Sequence, residues 1–285
     1  MALLHAASRV APESVCAVAT FDHGTGPAAT RASDLAASEA SRLGFIVAVG
    51  HAGVSSVGTS EAEWRAARLA FLRDVARQTS VDAGRPVLIA TAHTRDDQVE
   101  TVLMRVLRHA GARGLAGLYA RGEVVRPLLD CSRLEVAAYA ASVGASWYDD
   151  PTNASMRYFR NRIRRDLLPA LSRAHPGLHD DLLSLARGAA AWRDRVDAIA
   201  AAISRVDDTR GVVSVAAEQL EGYSRAELAV LWPAIAARVG LAMDWRGTAR
   251  AAAFTTESRV GARIPLSGGW EIWRSRHLFE LGRWR

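Results

Sequence analysis

VLIATAHTRDDQVETVLMRVLRHAGARGLAG, residues 87–117, is the stretch that decides the fold. Its apolar start, Val87–Ala92, reads as a buried strand. The run then breaks into His93-Thr94-Arg95-Asp96-Asp97-Gln98-Val99-Glu100-Thr101 and enters a helix over Asp97–Arg108. Five ionisable side chains fill the eight positions from His93 to Glu100. Carboxylates suit the first turn of a helix, which accounts for Asp96 and Asp97 but not for His93 at the strand end or Glu100 one turn on. Open α/β sheets bind ligands beyond the carboxyl ends of their strands, and that is where this block falls. Asp97 and Glu100, three apart, share a helix face. Two carboxylates beside an imidazole suit either Mg²⁺ held with ATP or a cationic amine. A metallohydrolase would draw on the same residue types, but the sequence offers no second His/Asp cluster.

Working outward, the first half alternates strands and helices. A helix over Met1–Val10 precedes a strand at Val15–Thr20; a helix at Asp34–Leu43 leads into the strand Phe45–Val49. After the Gly/Ser-rich loop GVSSVGTS, Glu61–Arg77 has helical periodicity through Trp64, Leu69, Leu72 and Val75. This order predicts an α/β fold with a mainly parallel, Rossmann-like sheet covered by helices on both faces. Beyond Arg126-Pro127 a helix starts near Ser132 and ends at Gly144, DDPTNAS is a turn cluster, and RYFRNRIRRDLLPAL is a basic helix that stops near Pro169. Two alanine-rich helices follow at 177–204 and 224–240. The tail, RVGARIPL, WEIWRS and HLFELG, reads as strands around a hairpin at Ser267-Gly268-Gly269. The expected domains are 1–171, catalytic, and 172–285, smaller and mostly helical with the hairpin at its end.

Composition narrows the class. The 285 residues suffice for two cores, with 49% hydrophobic and 23% charged residues, and no apolar run is long enough to span a membrane. Cys16 and Cys131 form no Cys-x-x-Cys pair, so neither a disulfide framework nor a zinc site is expected, and a cytoplasmic protein is. The net charge is +6 and all 36 basic residues are arginine. Arginine forks phosphates and stacks on bases; the competing reading is a lysine-poor genome, which explains the missing lysine but not the positive sign.

Three further groups stand out. In Arg157-Tyr158-Phe159-Arg160-Asn161-Arg162-Ile163-Arg164-Arg165, Phe159 and Ile163 share a face while the arginines spread around the rest, as a solvated stripe or as a holder of triphosphate or tRNA backbone. Arg65 and Arg68 lie three apart on a helix, a surface pair unless something else calls on them. His23, in Phe21-Asp22-His23-Gly24 after a strand, is placed for a nucleotide, although a lone loop histidine is usually structural.

Taken in order, His-x-x-Asp-Asp-Gln-x-Glu-Thr, Leu-Arg-His-Ala-Gly-x-x-Gly-Leu, Arg126-Pro127-Leu128-Leu129, Asp150-Pro151-Thr152-Asn153 and Arg160-Asn161-Arg162-Ile163-Arg164 resemble the tRNA(Ile)-lysidine synthases, closely over 1–171 and more loosely beyond. The resemblance implies an N-type (PP-loop) ATP pyrophosphatase that adenylates C2 of the wobble cytidine in the CAU anticodon of tRNA(Ile), after which the amine of L-lysine displaces AMP. It implies His93, Asp97 and Glu100 at the reacting centre, with Asp97 and Glu100 holding lysine and Asp97 the Mg²⁺. His23, Arg68, Arg160, Arg162 and Arg164 would hold ATP or pyrophosphate, and Arg157 and Arg165 the tRNA. A homodimer is compatible with it. The family's phosphate loop, Ser-Gly-Gly-x-Asp-Ser, normally stands before a run like Met1-Ala2-Leu3-Leu4-His5-Ala6. The expectation is that this chain starts just past that loop and, as written, supports little ATP–pyrophosphate exchange. Ser267-Gly268-Gly269 is no substitute, being followed by Trp270-Glu271-Ile272. Smaller departures are Thr25-Gly26 after Asp-His-Gly, Leu69, and His109 in place of a glycine. Two other readings are an inactive tRNA-binding remnant and a tRNA thiolase of the same superfamily; the second usually needs clustered cysteines.

Overall fold

The computed structural model describes residues 1–52, 61–148 and 155–283. The GVSSVGTS loop at 53–60 and the cluster Asp149-Asp150-Pro151-Thr152-Asn153 lie outside the described residues. The chain divides into two compact units, Met1–Ala190 and Ala191–Arg285.

The first unit holds the parallel strands. After α1 (Ala2–Val10), β1 (Val18–Asp22) runs parallel to β2 (Val47–His51), with α2 (Pro27–Arg42) as the crossover between them. The first strand therefore begins later than Val15: a short 3₁₀ turn occupies Pro12–Ser14, and pairing with β2 carries β1 on to Asp22. α3 (Glu61–Ala83) packs on both strands. β3 (Ile89–Ala90) pairs in parallel with β4 (Val124–Val125). The apolar run at 87–92 thus yields only two strand residues, extended by a bond from the Thr91 N–H to the Val125 carbonyl at 3.0 Å. Among the described residues the parallel strands form two separate pairs rather than one broad sheet.

α4 (Arg95–Leu107) is fixed through its first turns. Thr94 caps it in a reciprocal box: the Asp97 N–H reaches Thr94 Oγ1, and Asp97 Oδ2 accepts from the Thr94 N–H at 2.8 Å. Farther along, the short α5 (Ala112–Leu115) leads to Gly117 at φ +60°. Fully buried Gln98 clamps that turn, donating to the Ala116 carbonyl at 3.0 Å and accepting from the Leu118 N–H at 2.6 Å. A Cβ on residue 117 would meet Gln98 Oε1 at 2.5 Å, so glycine is required for both backbone and space.

α6 (Arg133–Ser142) starts on the Ser132/Glu135 capping box. The basic segment is helical but not uniform. α7 (Phe159–Arg162) widens into a π-helical turn at Ile163–Leu167 and resumes as α8 (Leu168–Ala174). The expected stop near Pro169 is therefore corrected: the proline sits in the first turn of α8, where its missing N–H costs nothing, and the widened turn takes up the break. Val99, Val102 and Leu103 of α4 pack with Ile163, Leu168, Leu182, Leu183 and Ala186 into one buried cluster. This cluster holds the arginine-bearing turns against α4. It also draws the first half of α9 (Leu178–Ile203) into the first unit, so the compact units part inside α9, at 190/191.

The second unit is richer in strands than the sequence suggests. An antiparallel sheet of β5 (Ser204–Asp207), β6 (Val212–Ala216), β7 (Arg263–Leu266), β8 (Trp270–Arg274) and β9 (Leu278–Arg283) has the order β5-β6-β9-β8-β7. The hairpin at Ser267-Gly268-Gly269 is present, joining β7 to β8. α10 (Arg225–Ala237) and α11 (Trp245–Glu257) pack with the sheet through Trp232, Ile235, Phe254, Ile272, Phe279 and Leu281. The 212–216 run, Val-Val-Ser-Val-Ala, becomes a strand because β5 and β9 flank it.

Candidate active site

The head of α4 gathers three of the expected residues and adds a fourth element. Glu100 is almost wholly buried, its side chain 1% exposed, yet it is ionised. Arg164 grips it with two prongs, Nε to Oε1 at 2.6 Å and Nη2 to Oε2 at 3.0 Å. Arg160 Nε reaches Oε2 at 2.7 Å, and Arg133 Nη2 reaches Oε1 at 2.9 Å. Burial alone would raise the Glu100 pKa; the bonds from Arg164 and Arg160 outweigh it and bring the carboxyl down to about 2.

Asp97 divides its two oxygens. Oδ2 serves the Thr94 cap, accepting from both the backbone N–H and the hydroxyl at 2.8 and 2.9 Å. Oδ1 faces Arg160 Nη2 at 2.8 Å, Arg133 Nη2 at 3.4 Å and Arg164 Nη2 at 3.6 Å. Asp96 ties two helix starts together, since its Oδ2 accepts the Arg133 N–H at 2.7 Å while the Arg95 N–H donates to the Cys131 carbonyl at 2.8 Å.

His93 stands half-buried at the strand end, its Nδ1 2.9 Å from Thr91 Oγ1. Burial lowers its pKa to about 4; Asp97 pulls it upward, while Arg126, Arg65 and Arg160 push it further down. The imidazole is therefore neutral at physiological pH, in a field made by Arg65 of α3, Arg126 just after β4 and Arg160 of α7. Arg126 is itself held by the carbonyls of Leu118 and Val124, at 3.1 and 3.0 Å from its Nη1.

The remaining expected residues separate. Arg162 is exposed and lies over the Phe159 ring at 5.5 Å, so it does not join Arg160 and Arg164 on the carboxylates. Arg157 and Arg165 are exposed. His23 is at the carboxyl end of β1, edge-on to Phe21 at 5.1 Å, with its Nδ1 buried and unpartnered. Burial, then the charge of Arg68, lowers the His23 pKa, with Asp22 opposing. Four further residues belong to the site: Thr91 and Arg133, not singled out in the sequence, Arg65, read there as a surface pair with Arg68, and Arg126, quoted there only within its Arg-Pro-Leu-Leu motif. Thr91 holds His93; Arg65 and Arg126 shape its field. Arg133 stands at the first position of α6, one residue after the capping Ser132.

In this geometry the carboxylates hold guanidinium groups. Mg²⁺ keeps near-ideal octahedral oxygen coordination, and Asp97 has one oxygen on the cap and the other on arginine. The set as it stands does not fit magnesium, and no group of three or more His, Cys, Asp or Glu that could hold a metal ion occurs among the described residues. The arginines suit an anion: planar donors that bind phosphate oxygens in pairs.

Parallel β/α units with guanidinium groups gathered beyond a strand end define a phosphate-handling α/β domain, and residues 1–171 match the family model of the PP-loop domain. Among curated relatives, the tRNA(Ile)-lysidine synthase of Salinispora tropica is 36% identical over 289 residues, covering 98% of this chain and 82% of the relative. That of Thermobifida fusca is 36% identical over 73% of this chain and 63% of the relative; that of Solibacter usitatus is 36% identical over 72% and 47%. The chain belongs to the tRNA(Ile)-lysidine synthase family of PP-loop proteins. It spans less than two thirds of the Thermobifida and Solibacter relatives. Among solved structures, the U34-tRNA thiolase NcsA from Methanococcus maripaludis is similar at a TM-score of 0.45 and 18% identity, covering 60% of this chain and 59% of that one, a likeness that carries no argument about the chemistry. No helix among the described residues is long and apolar enough to cross a membrane.

Proposed function

We propose that this chain carries the chemistry of a tRNA(Ile)-lysidine synthase, a carbon–nitrogen ligase that uses ATP. The wobble cytidine of the CAU anticodon is adenylated at the oxygen on C2, releasing pyrophosphate. The amine of L-lysine then bonds to C2, the oxygen leaves with AMP, and the amine loses a proton. The observation that carries this reading is the cluster at the head of α4: three guanidinium groups locked on Asp97 and Glu100, beside a neutral His93, in a chain of this family.

Each residue has a task that its surroundings support. Arg160 and Arg164, paired with Asp97 and Glu100, build the frame of a cationic cluster beside which a polyphosphate gains negative charge on leaving. Glu100, dry and ionised, fixes their direction. His93, uncharged at pH 7, is able to accept a proton from the incoming amine once the Thr91 hydroxyl has set its tautomer. Lysine binding by Asp97 and Glu100 requires that a guanidinium give up its place. The exposed Arg157, Arg162 and Arg165 suit the tRNA backbone.

The test is lysine transfer to a tRNA(Ile) transcript with a CAU anticodon, using the protein from its natural host. Asp97→Ala and Glu100→Ala are expected to abolish transfer while leaving tRNA binding measurable. Transfer by both variants would remove these residues from the site. Binding of the tRNA with no transfer by the unmodified protein would favour a silent RNA-binding remnant, and sulfur incorporation would favour a thiolase.

A further inference from the structure

We propose that Arg133 is the arginine that takes hold of a polyphosphate at this site, while Arg160 and Arg164 stay on the carboxylates. The proposal rests on the ATP-using reading above and adds a binding residue from outside the 157–165 run.

The three arginines are not equivalent. Arg164 is bidentate on Glu100, and Arg160 bridges Glu100 to Asp97 with bonds of 2.7 and 2.8 Å. Arg133 approaches with a single nitrogen, 2.9 Å from Glu100 and 3.4 Å from Asp97. It is also the most open, its side chain 42% exposed against 22% for Arg160 and 30% for Arg164. If Arg133 swings away, Glu100 keeps three guanidinium bonds and Asp97 keeps Arg160. No buried carboxylate is left uncompensated, which is the usual penalty for breaking a buried pair.

Charge points the same way. Arg160 and Arg164 already neutralise Asp97 and Glu100. Asp96 is taken up by the Arg133 N–H at the start of α6, while Arg65 and Arg126 add positive field around His93. Arg133 is thus a positive charge on a fixed backbone with a flexible stem, beside a site whose net field attracts anions. Its fork offers paired donors to phosphate oxygens.

The experiment is calorimetric titration of inorganic pyrophosphate into the full chain, unaltered and carrying Arg133→Gln or Arg133→Lys. A charge-assisted contact of this kind is worth about tenfold to a hundredfold in affinity. Arg133→Gln is expected to weaken pyrophosphate binding by that factor, and Arg133→Lys, which keeps the charge but loses the fork, to fall between. Binding by Arg133→Gln equal to that of the unaltered chain overturns the proposal and leaves the ATP reading standing. No pyrophosphate binding by the unaltered chain overturns both. If Arg133→Gln does not fold, Arg133→Lys decides: a threefold or greater loss supports the proposal, and unchanged affinity overturns it.

Discussion

Replacing Glu100 by Gln keeps the shape of the side chain and removes its charge, which is the sharpest perturbation of the cluster. The carboxyl is held at about 2 instead of the ordinary 4.5. At ~1.4 kcal/mol per tenfold, that difference contributes about 3 kcal/mol to folding at pH 7. Burial at 1% exposure leaves the carboxylate itself little screened by water. Its three arginine partners are partly exposed and can turn to solvent, so about 3 kcal/mol is an upper figure. Because the folded value lies below the unfolded one, the stabilisation is complete above pH 4.5 and fades as pH falls towards 2. By pH 3 the contribution is about 1.5 kcal/mol. Two compact units make a single global transition a poor readout. The assay is therefore hydrogen exchange of peptides from α4 across a urea series, at pH 7 and pH 3. A Glu100→Gln loss below ~0.5 kcal/mol at pH 7, or one that does not shrink at pH 3, would refute the reasoning.

Gly117→Ala should cost more than about 1 kcal/mol, since φ is +60° and the new Cβ meets Gln98; a calorimetric melt of the first unit's transition matching the parent would contradict it. Gln98→Leu, which strands the Leu118 N–H and Ala116 carbonyl, should lower the same transition by about 1–3 kcal/mol per orphaned group. For His93, histidine NMR should show a midpoint near 4, and its contribution to stability, present above pH 6.5, should drain away as pH falls towards 4; a midpoint at 6.5 would show an open imidazole. Neutralising the exposed Arg157, Arg162 and Arg165 to Gln should weaken tRNA binding and flatten its salt dependence without changing pyrophosphate affinity. An unchanged salt slope would move the RNA surface elsewhere.

The residues that carry local rules were the ones most open to reading. Ser132 marks the start of α6, which begins at Arg133, whereas α4 begins at Arg95, two residues before the expected Asp97, because Thr94 and Asp97 close a capping box. The shared face of Asp97 and Glu100 followed from their spacing of three on one helix, and His93 stands just before that helix's cap. What escaped depended on partners far along the chain. β3 shrank to two residues because β4 offers only two to pair with, and β6 needed both β5 and β9 to exist as a strand. Within the basic run, alternate arginines parted company: Arg160 and Arg164 turn to Glu100, whereas Arg162, between them, turns to Phe159. Helical spacing sorts the run into faces but does not say which face meets the acids. Arg133 was hidden for the same reason, lying on a different helix and more than thirty positions from the carboxylates it touches.

The proposed role of this cluster is ATP-driven transfer of lysine to tRNA. Its most direct test is mass analysis of nucleosides from a CAU-anticodon tRNA(Ile) transcript incubated with ATP, L-lysine and the protein from its natural host. Lysine attached to the wobble cytidine, dependent on ATP and lost in Glu100→Ala, is the predicted result. An unmodified cytidine, or lysine transfer that survives Glu100→Ala, would contradict it.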